Sequence, residues 1–211
     1  MQKNHNSTIK IIFSSSAIFL KRIENEEMSV LNEKEIQFFS IISHSQKKRE
    51  FLTVRSLRNE IYPFEEINYL PSGKPYFANR QEHLSISHSS NFAAIGISDN
   101  PIGIDIEEIN ERILKVEDRF LHEDEKQFIQ SNTLDLTIAW TIKEALFKRN
   151  NREGIIFKDE LRILEKLENG IFRCDMLGTN GWESVFIRTI QHENLIISFT
   201  FVPNGDASFK N

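Results

Sequence analysis

Two short segments constrain this chain more than its composition does. Residues 103–107 read Gly-Ile-Asp-Ile-Glu, and about forty residues later 140–148 read Trp-Thr-Ile-Lys-Glu-Ala-Leu-Phe-Lys. The first alternates with a period of two, the signature of a strand. Asp105 and Glu107 then share one face while Ile104 and Ile106 point into the core. The second has helical spacing, so Trp140, Glu144 and Lys148 line up along one face. An all-oxygen carboxylate set beside lysines is what a hard divalent cation and a phosphate-bearing substrate require, and it favours Mg²⁺ over zinc. A blander reading is open: solvated strand carboxylates, and a Glu144–Lys148 surface pair worth about 0.2–0.5 kcal/mol. The close apolar neighbours weigh against it, because acids at the ends of buried elements are costly unless paired or metal-bound.

At 211 residues the chain makes one large domain or two small ones. Apolar residues reach 39%, with 17 Phe, so a sizeable core is available. The net charge of −5 gives no sign of generic nucleic-acid binding. An anionic ligand would need a local basic patch, and Lys47-Lys48-Arg49 with Arg55 could supply it, unless that run is only a solvated helix face. Cys174 is the single cysteine, which excludes an intrachain disulfide and a multi-cysteine metal site and points to the cytoplasm. Lys3 and Lys10 before the apolar run Ile11–Leu20 mimic a short signal peptide. The interrupting Ser14-Ser15-Ser16 and the following Lys21-Arg22 argue for an N-terminal strand pair instead. No stretch approaches the roughly 18 apolar residues of a membrane span.

The organisation follows from patterning. Residues 8–20 predict β structure, and 33–61 predict helix, stopped by Pro63. Pro71–Pro75 is a turn. Residues 84–108 predict a three-stranded meander, with turns at Ser90-Asn91 and Asp99–Pro101. Residues 116–130 and 134–149 predict helices, the second with Ile138, Ile142, Ala145 and Leu146 as its buried stripe. From Ile155 onward the chain alternates like antiparallel sheet, and Asn204–Asn211 is a polar tail. Arg49-Glu50-Phe51-Leu52 with Arg55 echoes Lys143-Glu144-Ala145-Leu146 with Arg149 at the same offsets. If that echo is real, the fold is two helix-on-sheet halves facing each other across a cleft, joined near Asp99–Pro101.

Two further motifs could touch a ligand. In Ser85-Ile86-Ser87-His88-Ser89, small hydroxyls flank a histidine just before a turn. His88 could donate to a phosphate when protonated. Ser87 lies on the opposite face of an ideal strand, so both reach one ligand only if the strand ends or bulges there. A capped or surface histidine is the alternative. Gly73-Lys74-Pro75 combines close backbone approach, a fixed φ and a reaching ammonium, although a plain surface turn reads the same way.

Taken together and in order, these motifs resemble the Sfp-type 4′-phosphopantetheinyl transferases over residues 45 to 150. The Gly103–Glu107 and Trp140–Lys148 pair is the specific part. The resemblance implies an α+β fold of two similar halves, each a small antiparallel sheet packed on a long helix and related by a pseudo-two-fold. The halves would be residues 1–99, carrying the coenzyme A nucleotide contacts, and 100–211, carrying the metal and catalytic residues. It implies Mg²⁺-dependent transfer of phosphopantetheine from coenzyme A to a serine of an apo acyl or peptidyl carrier protein, releasing 3′,5′-ADP. By the family's pattern Asp105, Glu107 and Glu144 hold the metal, Glu144 activates the serine, and Lys148 binds the pyrophosphate. Lys74, Ser87 and His88 hold the nucleotide end, with Arg49 and Arg55 as the basic patch. A monomer with pseudo-dimeric halves is expected, with neither nucleic acid nor membrane as partner. The departures are the lack of basic residues other than His44 in Phe38–Gln46 and a reduced glycine content at 150–154. Another Mg²⁺-dependent phosphodiester enzyme and a non-catalytic carrier-protein or nucleotide binding module are the rival readings. Fatty-acid, polyketide and nonribosomal-peptide carriers are equally open.

Overall fold

The computed structural model describes residues 7–24, 27–150 and 152–203; the expected polar tail lies outside them. The N-terminal strand pair forms as expected, β1 (Ile9–Phe13) against β2 (Ser16–Arg22). The helical stretch 33–61 is two helices, α1 (Glu33–Ile41) and α2 (Ser45–Ile61), because the backbone turns extended at Ile42 and His44. Asn32 caps α1 in a reciprocal capping box with Glu35. Four strands follow: β3 (Ile67–Tyr69), β4 (Pro75–Phe77), β5 (His83–His88) and β6 (Phe92–Ser98).

The expected three-stranded meander over 84–108 is corrected at its third strand. β5 and β6 pair, but β7 (Ile104–Glu108) leaves that sheet and pairs antiparallel with β11 (Leu195–Phe201) at the far end of the chain. Periodicity reports that a segment is a strand and is blind to its partner. The helix expected over 116–130 shrinks to α3 (Glu117–Phe120) and a single 3₁₀ turn at Glu125–Gln127. The longer helix holds as α4 (Thr133–Arg149), with Asn132 accepting from the Asp135 amide at 2.9 Å. After α5 (Phe157–Glu160) come β8 (Leu161–Lys166), β9 (Ile171–Gly178), β10 (Gly181–His192) and β11.

The two sheets repeat one plan. The first runs β1-β2-β6-β5-β4-β3 and the second β7-β11-β10-β9-β8. In each, a strand precedes the long helix and four strands follow it, the last returning beside the first; β1 is an addition at one edge. The short sequence echo marks these helices but not their register. Arg49 stands in the second turn of α2 and is exposed, whereas Lys143 stands deep in α4 and is fully buried.

Three apolar layers hold the halves. Val54 and Leu57 of α2 pack on Leu84, Ile95 and Ile97 of the first sheet. Leu136, Ile142, Ala145 and Leu146 of α4 pack on Ile163, Phe172, Val185 and Ile187 of the second. The third layer is shared: Ile18, Leu20 and Ala94 meet Ile104, Ile106, Ile197 and Phe199. Because Ile104 and Ile106 are spent on this shared layer, Asp105 and Glu107 must face α4. Gly103 lets β7 start there. A Cβ at this position would meet the Ala145 carbonyl oxygen at 1.9 Å and the Arg149 nitrogen at 2.7 Å.

Candidate active site

The site lies where β5 of one half, β7 of the other and the last turns of α4 converge. Lys148 Nζ donates to Asp105 Oδ1 at 2.7 Å and to Ser87 Oγ at 2.9 Å. Ser87 donates to the same Asp105 oxygen at 2.9 Å and accepts the Ile106 amide at 3.2 Å. Asp105 is buried, so the solvated-carboxylate reading fails for it. The Glu144–Lys148 surface pair does not form either; Lys148 turns to Asp105 instead. Two of its three ammonium donors are used, which leaves one for a ligand oxygen.

Glu107 and Glu144 complete an acidic edge. Burial first, and the neighbouring Asp105 carboxylate second, push both carboxyls up to about 7. For Glu144 the Lys148 charge pulls the other way but is outweighed. Trp140 donates its indole N–H to Glu107 Oε1 at 3.2 Å, while its ring stacks on Phe157 and meets Phe120 edge-on. The helical face Trp140–Glu144–Lys148 read from the sequence thus meets β7.

A hard cation fits this donor set in one respect and is not pre-caged in another. Asp105 Oδ2 is buried without a hydrogen-bond partner, beside two carboxyls whose proton affinity burial and the Asp105 charge raise. A divalent cation would satisfy the first and relieve the second. Among the described residues, no three His, Cys, Asp or Glu side chains are already closed around one point.

The remaining candidates are spread over two neighbouring hollows. Lys74 lies at the inter-half cleft, its Nζ donating to the Arg149 carbonyl at 3.1 Å. It shares a cavity of about 470 Å³ with Lys148, Phe147 and Arg152. Burial and then the Arg149 charge hold the Lys74 ammonium below its ordinary pKa. On the other side of Pro75 is a groove of about 510 Å³, walled by Phe38, Ile42, Phe51 and Ile86, with Lys47 and His88 at its edge. His88 is exposed on the strand face opposite buried Ser87, and its Nε2 stands 3.6 Å from Glu50. β5 pairs with β6 in unbroken register through both residues, so no bulge brings Ser87 and His88 to one face. Arg49 projects outward and bonds Gln46. Arg55 is buried, bonded to Glu35 at 2.6 Å and stacked over Phe51.

Sequence reasoning passed over three supporting groups. Glu108 accepts from Ser89 Oγ, the Asn91 amide and the Asn91 side chain, tying the β5–β6 turn to β7. Glu35 joins Arg55 and Arg58 in a buried cluster that seats α1 on α2. Glu125 and Lys143 form a fully buried pair at 2.8 Å, one residue before Glu144. An apolar stretch interrupted by a charge was the available signal for Lys143; Glu125 sits in a polar run and gave none.

Fold and site together define a two-half α+β protein with acids and lysines converging at the seam. Residues 101–182 match the model of the 4′-phosphopantetheinyl transferase superfamily, a span holding Asp105, Glu107, Glu144 and Lys148. The chain is 33% identical over 114 residues to 4′-phosphopantetheinyl transferase gsp of Aneurinibacillus migulanus, covering 52% of this chain and 46% of that protein. It is 33% identical over 105 residues to 4′-phosphopantetheinyl transferase psf-1 of Bacillus pumilus, 45% of each. A 4′-phosphopantetheinyl transferase of Bacillus subtilis is 28% identical over 123 residues, 56% of this chain and 54% of that one. The matches thus span about half the length of these curated relatives. The resemblance to Sfp-type transferases drawn from the motifs is borne out. No helix among the described residues is long and apolar enough to cross a membrane.

Proposed function

We propose that this protein transfers the 4′-phosphopantetheine group of coenzyme A to a serine hydroxyl of an apo acyl or peptidyl carrier protein, releasing 3′,5′-ADP. The observation that carries the reading is the Asp105–Lys148–Ser87 junction with Glu107 and Glu144 beside it, whose Asp105, Glu107, Glu144 and Lys148 lie inside the span that matches the transferase superfamily. The serine oxygen bonds to the phosphorus bearing pantetheine, and the bond from that phosphorus to the nucleotide's bridging oxygen breaks. Such a displacement needs in-line positioning and charge neutralisation more than covalent help from the protein.

Asp105, Glu107 and Glu144 would hold Mg²⁺, which when bound supplies charge neutralisation on the pyrophosphate. Glu144 accepts the serine proton. Lys148 offers its remaining N–H to a pyrophosphate oxygen. Lys74 and His88, with Arg49 on the adjoining helix, are the cationic contacts for the nucleotide end. The division into an N-terminal half, 1–99, and a C-terminal half, 100–211, separates nucleotide contacts from metal and catalytic residues. A monomer suffices, because one chain supplies both walls of the cleft. A lone, buried and unreactive Cys174 supports a cytoplasmic setting, burial pushing its thiol pKa well up.

The test is incubation with coenzyme A, Mg²⁺ and an apo carrier protein, followed by intact mass. The carrier should gain one phosphopantetheine. No gain with any of the fatty-acid, polyketide and peptide classes of carrier, while coenzyme A still binds, would leave a binding module.

A further inference from the structure

The two sheets meet at a seam made of side chains. In an antiparallel ladder, alternate residues turn their backbone groups to one neighbour and the others turn theirs away. β7 bonds to β11 through its odd-numbered residues, with Asp105 opposite Ser198 and Gly103 accepting from the Thr200 amide. The amides of Ile104 and Ile106 therefore face outward, toward β5. There they meet hydroxyls in place of a strand: Ile104 N donates to Ser85 Oγ at 3.0 Å and Ile106 N to Ser87 Oγ at 3.2 Å. Two serines two residues apart on β5 thus take up the two outward amides of β7.

Ser87 does more than close the edge. A hydroxyl has one proton to donate and two lone pairs to offer. Ser87 accepts from Ile106 N and from Lys148 Nζ and donates to Asp105 Oδ1. All three capacities are used, and the residue is 3% exposed. It has neither a free bonding site nor a surface for a phosphate oxygen, unlike exposed His88 beside it. Its bond and that of Lys148 both fall on Oδ1, which leaves Oδ2 as the unpartnered oxygen of Asp105.

The geometry points to Ser87 as a positioning residue that aims Asp105 Oδ2 at the cation and holds Lys148, and not as a ligand of the nucleotide. This rests on the transferase reading and departs from the role the family resemblance implied for this serine. Ser85 supplies an internal control. It makes the equivalent seam bond, and no bond from its hydroxyl to Asp105 or Lys148 is seen.

The experiment compares purified wild type, Ser87→Ala, Ser87→Thr and Ser85→Ala. Mn²⁺ affinity is read by calorimetry without coenzyme A, and kcat and coenzyme A KM by carrier-protein transfer. Groups that orient a metal ligand typically matter about 10–100-fold, so Ser87→Ala should weaken Mn²⁺ binding and lower kcat by about tenfold or more, with coenzyme A KM unchanged. Ser87→Thr, which keeps the hydroxyl, should restore both. Ser85→Ala should lower the melting temperature while keeping wild-type Mn²⁺ affinity. If Ser87→Ala does not fold, Ser87→Cys, similar in shape but a weak donor, carries the same comparison. The proposal is overturned if the Ser87 variant raises coenzyme A KM while Mn²⁺ affinity and kcat stay at wild type. It is equally overturned if Ser85→Ala weakens Mn²⁺ binding as much, since the effect would then be seam stability alone. A wild-type protein that transfers nothing defeats the transferase reading, and the Mn²⁺ comparison still decides the role of Ser87.

Discussion

Lys148 Nζ lies 2.7 Å from Asp105 Oδ1, so the last turn of α4 is fastened to the middle of β7 by a charge pair that is mostly out of water. The same contact joins the two most specific motifs of the sequence. Their spacing of about forty residues is what the chain needs to leave β7, cross the α3 region and return along α4.

Asp105 therefore carries stability as well as chemistry. Asp105→Asn keeps the shape and removes the charge, leaving Lys148 partly uncompensated. Breaking a fully buried pair costs about 3–5 kcal/mol, and the partial exposure of Lys148 reduces this to about 1–3 kcal/mol. Urea denaturation should show that loss, and metal-dependent transfer should vanish. A variant with wild-type turnover would remove Asp105 from the site.

Glu107 and Glu144 set a pH dependence with a definite sign. Their carboxyls sit at about 7 in the folded protein against an ordinary 4.5. Between those values the folded state binds more protons than the unfolded one, so metal-free stability falls as pH rises through about 4.5 to 7. Above that window the full penalty is present, on the order of 1–3 kcal/mol for the coupled, partly exposed pair. Mg²⁺ should flatten the slope and raise the melting temperature most near pH 8. Stability that rises across the window without metal would show that the two acids are not crowded.

How much of this was legible in advance depends on the range of the interaction. Alternation in Ile104–Glu107 and the four-residue spacing of Trp140, Glu144 and Lys148 are local, so they revealed both elements and the faces that meet. The departure of β7 to β11 was hidden because a strand's sequence does not name its neighbour across ninety residues of chain. The helix expected over 116–130 failed for a related reason. Glu125 is drawn inward to Lys143 and the Ile163 amide, so the chain stops at a 3₁₀ turn. Ser87 looked like a ligand contact because sequence gives the donor type but not how many of its bonds are already taken.

The Glu125–Lys143 pair supports Glu144 from beneath. Both members are fully buried, and Glu125 also accepts from the His122 and Ile163 amides. Lys143→Met should cost about 3–5 kcal/mol by stranding a buried carboxylate. Lys143→Met with Glu125→Gln should recover part of that, since the amide oxygen can still accept a backbone N–H. Equal stability of the single and double variants would show that the charge of Glu125 is not the cost.

Gly103 tests the approach of β7 to α4. Any Cβ there overlaps the Ala145 carbonyl, so backbone must move. Gly103→Ala should destabilise by more than the roughly 1–3 kcal/mol of ordinary overpacking, and should lower turnover in whatever fraction remains folded. A wild-type melting temperature would mean that α4 shifts freely, and with it Glu144 and Lys148.

Glu144 is where chemistry and stability can be separated. Glu144→Gln keeps the side chain's shape and deletes a charge that burial and Asp105 already disfavour. Above pH 7 the variant should therefore be as stable as wild type or more so, and lost activity cannot be assigned to unfolding. A serine hydroxyl is a poor nucleophile at neutral pH and needs a proton acceptor within hydrogen-bond reach. Removing that acceptor should lower kcat by at least about 10²-fold, the low end for a general base. Coenzyme A binding should weaken far less, because Lys74, His88 and Lys148 remain. Calorimetry of Mg²⁺–coenzyme A binding, run beside single-turnover transfer, distinguishes the outcomes. Transfer at the wild-type rate eliminates Glu144 as the base. Equal losses in metal binding and rate make it a ligand only, and a rate loss that far exceeds the binding loss places the proton on Glu144.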